Sequence, residues 1–177
     1  MLLPLAIFTA CGDSGSSSTE TTASEDGKES FEVLFNDLFL PGSGGVFRGV
    51  NFEDSREAIT ELETSRKTIT VLNDDSDYYV SFTSDMGKEA LNFADIEYSV
   101  DDMGMYGVSV ETYAIDKETA DSILKLTLDY LTDLYGESEV ASDGFYEFSS
   151  EDDGVIYAVK DIGLEESYGM QIYIDPY

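Results

Sequence analysis

The sequence predicts an α+β fold: an antiparallel sheet of the meander kind, with a short N-terminal helix and one long helix packed on one face. Three observations predict it. Runs of β-branched and aromatic residues recur between acidic separators of turn-forming chemistry, two of the three bearing a glycine. Those separators are too short to hold crossover connections, which leaves antiparallel pairing. One long stretch, from about Lys117 to Tyr135, instead repeats its apolar residues at three- and four-residue spacing.

Order is expected to begin near Phe31, where Phe31, Val33, Leu34, Phe35, Leu38, Phe39 and Leu40 arrive close together before Pro41-Gly42-Ser43-Gly44-Gly45 breaks the chain. Residues 46–57 read as a short strand or turn leading into a helix. Asp54 is its expected cap and Glu57, three residues on, completes a capping box. Ala58, Ile59 and Leu62 form its apolar stripe, and it ends near Thr64.

Four strands are expected next, at 68–72, 78–83, 91–100 and 106–114. In the third, Phe93, Asp95, Glu97 and Ser99 alternate with Ala94, Ile96, Tyr98 and Val100, which predicts one wet face and one buried face. The long helix follows, with Asp116 as N-cap and Gly136 as C-terminal stop. Ala120, Ile123, Leu124, Thr127, Leu131, Leu134 and Tyr135 make up its stripe, widened by Leu126 and Leu128, and so broad an apolar face must lie on a sheet. Three more strands, at 144–149, 155–160 and 168–174, complete the order: helix, four strands, helix, three strands.

Ahead of this domain lies a different kind of sequence. The apolar run from Leu2 to Ala10 is shorter than the roughly 20 residues a membrane-spanning helix needs, and it suits the apolar core of a secretory signal. From Gly12 to Ser30 the composition is dominated by Ser, Thr, Gly and acids, too polar to offset the entropy of ordering. The domain reading is therefore a signal peptide at 1–10, a flexible tether at 11–30 and a single α+β domain at 31–177, with two tandem lobes at 31–114 and 115–177 as the alternative.

Phe8-Thr9-Ala10-Cys11, with the apolar run before it, resembles the lipobox of bacterial lipoproteins. The resemblance implies cleavage after Ala10 and a lipid on Cys11, with the mature chain anchored to a membrane of the bacterial cell envelope, periplasmic or at the cell surface. Phe8 stands where leucine is usual. No Lys or Arg precedes the apolar run, which points to a translational start a few residues upstream. One acyl chain holds a protein only reversibly, so the two or three that such lipoproteins carry are what a stable anchor takes. Cys11 is the sole cysteine, so the domain must be stable through its core alone, without an internal disulfide.

Composition narrows the chemistry. Thirty-eight acids against nine bases give a formal charge of −29, which disfavours nucleic acid and anionic lipid headgroups as partners. There is no histidine and no second cysteine. The commonest general base, imidazole-assisted nucleophiles and nitrogen or sulfur metal sites are thereby excluded, and no catalytic or cofactor-binding residue is assigned. A carboxylate pair acting on an extracellular polymer such as a glycan is the remaining enzymatic reading.

Calcium is the one metal such a chain would favour, because its ligands are oxygens. Its weak candidates are Asp74, Asp75 and Asp77 in one acidic turn and Glu151, Asp152 and Asp153 in another. Neither turn has the EF-hand spacing, and solvated turns are the ordinary reading. Tyr78, Tyr79, Tyr157, Tyr168 and Tyr173 lie on expected strands, where rings can flank a peptide or sugar or can be half-buried sheet residues.

The stretch from Gly49 to Ala114, a glycine-bearing strand, then Asp-Ser-Arg-Glu opening a helix, then a meander, loosely resembles the small envelope lipoproteins of the BamE/SmpA kind. Those proteins place two helices before their strands, whereas one is expected here, and this chain adds a second α–β block. The resemblance implies a non-catalytic binding or scaffolding domain, whose partner would be an envelope protein or peptide.

Overall fold

A computed structural model describes residues 30–66, 69–71, 76–88, 91–163 and 167–177. Its elements run α1 (Phe31–Phe39), α2 (Arg56–Thr64), β1 (Ile69–Val71), β2 (Tyr79–Asp85), β3 (Phe93–Asp101), β4 (Gly104–Tyr113), α3 (Lys117–Tyr135), β5 (Glu139–Val140), β6 (Tyr146–Ser150), β7 (Val155–Asp161) and β8 (Met170–Pro176). The eight strands form one antiparallel sheet in the order β1-β2-β3-β4-β8-β7-β6-β5. That order is palindromic. The first half runs two helices then four strands, the second one helix then four strands, and the halves meet where β4 pairs with β8 through Val108↔Ile174 and Val110↔Ile172.

The α+β class and the antiparallel sheet agree with the sequence reading, and two elements were not anticipated by it. The first is α1, so two helices rather than one precede the strands. It buries Leu34, Phe35, Leu38 and Phe39, a helical spacing, and stops where Leu40 turns left-handed (φ 48°) ahead of Pro41. Its rings lie against Tyr130 of α3, with centroids 5.4 Å (Phe35) and 5.5 Å (Phe39) away. The second is β5, two exposed residues at the sheet edge, too short to leave a periodic signal.

The α2 N-terminus also differs by one residue. Ser55, not Asp54, is the cap, its hydroxyl accepting from Ala58 N at 3.3 Å. Asp54 instead accepts from Asn51 N at 2.7 Å, so the Asp54–Glu57 box does not form. The buried face of α2 holds Ile59 and Glu63, whereas Ala58 is exposed. The lead-in to α2 is pinned to β4 by reciprocal bonds, Glu53 N to Met105 O and Met105 N to Asp54 O, each 2.9 Å.

In α3 the caps fall where expected: Asp116 accepts from Thr119 N at 2.8 Å and Gly136 ends the helix with φ 89°. Ile123 and Leu131 are buried, but Leu134, expected on the apolar stripe, is 53% exposed while its neighbour Tyr135 is the residue of that turn that stacks on the sheet.

Alternation decides which side of the sheet is covered. Phe82, Ile96, Val110, Ile172 and Val159 form one cross-strand row, with Tyr98, Val108, Ile174, Tyr157 and Phe148 beside it; all are buried. The helices lie on this side: α2 places Glu63 on Tyr98 and α3 stacks Tyr135 on Tyr157. None of the described helices lies on the other.

Candidate functional site

The uncovered face is the first candidate. It is built from the alternate residues of six strands, so its side chains share one plane by the pleat alone. One row across it reads Thr83, Asp95, Glu111, Gln171 and Lys160, and the next Ser81, Glu97, Ser109, Tyr173, Ala158 and Glu147. At one side Phe93 and Tyr113 stack, with centroids 4.6 Å apart and planes at 19°. At the other Phe145 and Tyr173 lie 5.7 Å apart, and the Lys160 ammonium sits 5.1 Å from the Phe145 ring centroid.

Asp95 and Glu111 are directly opposed across β3 and β4. Asp95 accepts the Thr83 hydroxyl at 2.7 Å. Burial and the nearby Glu111 and Asp95 charges push the Tyr113 phenol above its usual range. Further along, Asp175 reaches over Gly107, where a Cβ would stand 3.2 Å from its Oδ1, and burial raises its carboxyl above the ordinary value.

Two clefts lie off this face. One, of about 500 Å³, is walled by Phe39, Tyr130, Tyr135 and Tyr157 on one side and by the loop Gly42–Gly45 on the other. Among the described residues Asp153 is the one carboxylate lining it. The other is a shallow groove of about 850 Å³ lined by Glu53, Glu57, Asp77, Asp101 and Asp102, with Tyr78 (71% exposed) and Met103 (79%) on its rim. Arg56 also lines it, but its guanidinium is committed to Ser76 O and Tyr79 O at 2.6 and 2.8 Å.

Under the helices lies a cluster the sequence reading missed. Arg48 and Glu63 are 1% and 0% exposed, and Arg48 donates Nε and Nη2 to the two Glu63 oxygens at 3.1 and 3.3 Å. The Tyr98 hydroxyl donates to Glu63 Oε1 at 2.5 Å, and Arg66 pairs with the same oxygen. Arg48 Nη1 donates to Asp37 O and Leu38 O at 2.7 and 2.9 Å, carbonyls that the end of α1 leaves without helical partners. Burial opposes the Glu63 charge, but Arg48, Arg66 and Tyr98 together outweigh it and hold the carboxyl below its usual range. Burial and Glu63 drive the Tyr98 phenol well above its own.

Arg48 sits with Gly49 in a two-residue turn between Phe47 and Val50, with φ of 52° and 84°. The left-handed conformation costs a non-glycine residue about 1–2 kcal/mol, and the bonds of its guanidinium offset that cost. A signal was present in the sequence: Glu63 falls four residues after Ile59, on the apolar stripe of α2.

The residues singled out by sequence separate. Cys11 and the turn residues Asp74 and Asp75 lie outside the described residues. Asp77 is exposed on the acidic groove, apart from the second turn. In that turn Glu151 accepts from the Tyr177 hydroxyl at 2.9 Å, Asp153 exchanges bonds with Ser150, and Asp152 is exposed. Among the described residues no three acidic groups are arranged to hold a metal.

Of the tyrosines, Tyr79 and Tyr173 are on the uncovered face, Tyr78 precedes β2 on the groove rim, and Tyr168 is half-buried in a bridge to Ala114. Tyr157 is buried under α3, its hydroxyl donating to Val46 O. No described helix is long and apolar enough to cross a membrane. Compared with protein-family models, curated proteins and solved structures, the chain matches none of them.

Proposed function

We propose that this chain is a lipid-anchored lipoprotein of the bacterial cell envelope. Its folded domain binds or scaffolds another envelope component, without catalysis, through the uncovered face of the sheet. One observation carries the reading: all three described helices lie on one side of an eight-stranded sheet, and the other side carries paired aromatics and a run of carboxylates among its small polar residues. Aromatic rings on an exposed surface are the residues that anchor partners. The lipobox-like Phe8-Thr9-Ala10-Cys11 supports the location.

The alternative, a carboxylate-dependent hydrolase of extracellular polymer, finds less support. The aromatic cleft presents Asp153 without a second acid, and the opposed pair Asp95 and Glu111 lines neither cleft described above.

A photo-crosslinking residue at Tyr173, compared with one at Asp133 on the exposed side of α3, tests the binding face in native membranes. Envelope proteins captured at Tyr173 and not at Asp133 are expected; equal capture at both sinks the reading. Mass spectrometry of the native N-terminus tests the anchor, for which a diacylated Cys11 is expected and an intact Met1 with a free thiol is the contrary result.

A further inference from the structure

The uncovered face has an electrostatic imbalance that the rest of the fold does not correct. Asp95 and Glu111 are opposed directly on neighbouring strands, and Glu97 follows on the same face two residues from Asp95. Like charges in that relation destabilise a sheet. The Thr83 hydroxyl donates to Asp95, which stabilises an anion without cancelling its charge, and Glu111 has the Tyr113 phenol rather than a cation nearby. Among the described residues Lys160 is the one cation on this face, and it is occupied, donating to Asp143 O at 2.6 Å while lying over Phe145.

The flank of the acidic pair is as specific as the pair. Phe93 and Tyr113 stack beside it, half-buried and so half available, and Phe93 pairs with Tyr113 two residues along the same register that pairs Asp95 with Glu111. A guanidinium meets both features at once. It is planar and weakly hydrated, it forks onto carboxylate oxygens and it stacks on aromatic faces, which an ammonium does less well. The molecule solves the same problem internally in this way, with Arg48 forked onto Glu63 beside the Tyr98 ring.

We propose that the uncovered sheet face docks an arginine-bearing segment of a partner protein, with Asp95 and Glu111 receiving a guanidinium and the Phe93–Tyr113 stack lying against it. This rests on the reading of that face as the binding surface. Charge complementarity selects the occupant: the face presents Asp95, Glu97, Glu111, Glu147 and Asp175 against one lysine, within a chain of formal charge −29. A partner of like sign would meet repulsion at every register.

The test uses the full lipidated chain in detergent and three fluorescein-labelled peptides alternating glycine with arginine, lysine or citrulline. Binding is read by anisotropy at low and moderate salt. Arginine peptide binding best, lysine several-fold weaker and citrulline not at all is the expected order. The double variant Asp95→Asn/Glu111→Gln should weaken the arginine peptide by at least roughly tenfold. Asp129→Asn/Asp133→Asn, which removes the same charge from α3, should leave it within about twofold.

Equal loss in both double variants, or equal affinity for lysine and arginine, overturns the proposal in favour of diffuse attraction. Release of the peptide by millimolar calcium in the wild type but not in the α3 variant overturns it too, by placing the site on α3. The variant is expected to fold, since it relieves repulsion, and its melting curve checks that. If crosslinks from Tyr173 to envelope proteins persist while arginine preference is absent, this inference fails and the binding-face reading stands; if those crosslinks are absent as well, both fail.

Discussion

The two faces of the sheet carry the same chemistry with opposite outcomes. On the covered side a carboxylate, Glu63, meets a tyrosine hydroxyl and two guanidinium groups, and its charge is fully answered although it is 0% exposed. On the uncovered side two carboxylates, Asp95 and Glu111, face each other, and among the described residues neither is paired with a cation; Asp95 accepts the Thr83 hydroxyl and Glu111 lies near the Tyr113 phenol. Burial explains the contrast. A charge taken out of water costs several kcal/mol unless it is paired, so the interior must supply its own cation. At a half-exposed site water screens the repulsion, and the chain tolerates it.

The largest expected effect breaks the covered side. Glu63→Gln leaves the Arg48 charge buried without its counterion and is expected to cost roughly 3–5 kcal/mol, measured by urea unfolding. Arg48→Met combined with Glu63→Leu should cost less than the sum of its single variants by about 1–3 kcal/mol. A strictly additive cycle would mean that the two groups do not act as a pair.

The pH dependence sharpens the same point. The Glu63 carboxyl is held below its unfolded value of 4.5 in the fold. Its contribution is therefore complete above that pH and disappears as the pH falls through the lower folded value. The stability gap between wild type and Glu63→Gln should be constant near neutrality and narrow below pH 4.5. A gap that instead widens in acid contradicts the assignment.

A smaller effect probes the joint that places α2, and with it Glu63, over the sheet. Gly104 has φ of 114°, and a Cβ there would overlap the main chain of Glu53. Gly104→Ala is expected to cost about 1–3 kcal/mol through strain and overlap, visible as a lowered Tm. A neutral result would show that the lead-in to α2 moves freely on β4.

The smallest effect has the opposite sign. Asp95→Asn keeps an oxygen for the Thr83 hydroxyl while removing one of two opposed charges, so it should stabilise the fold by about 0.2–1 kcal/mol. The gain should shrink in 1 M salt, where the Debye length is about 3 Å. Destabilisation at low salt would show that Asp95 is already paired within the chain, and the contrast between the faces would be lost.

Local signals explain what was legible. The alternation in β3, the Asp116 and Gly136 ends of α3 and the Asp101–Gly104 turn between β3 and β4 each follow from residues within a few positions of one another. For α1 the signal existed, since Phe31, Leu34, Phe35, Leu38 and Phe39 fall on one helical face and Pro41 follows. It was hidden because so dense an apolar run also suits a buried strand. The rotation of α2 that buries Glu63 rather than Ala58 was readable only in retrospect: a carboxylate on an apolar stripe is unfavourable until Arg48 is known to face it.

By itself the sequence determined the α+β class, the alternation that makes one sheet face wet, the caps of α3 and a composition without imidazole, because periodicity and turn chemistry act between near neighbours. The tertiary structure decided which charges are answered. It joined β4 to β8, brought Arg48, the Glu63–Arg66 end of α2 and Tyr98 together from three separate segments, and set Asp95 against Glu111 beside an aromatic stack. Coulomb interactions depend on distance in space and on exposure to water, and neither quantity is written along the chain.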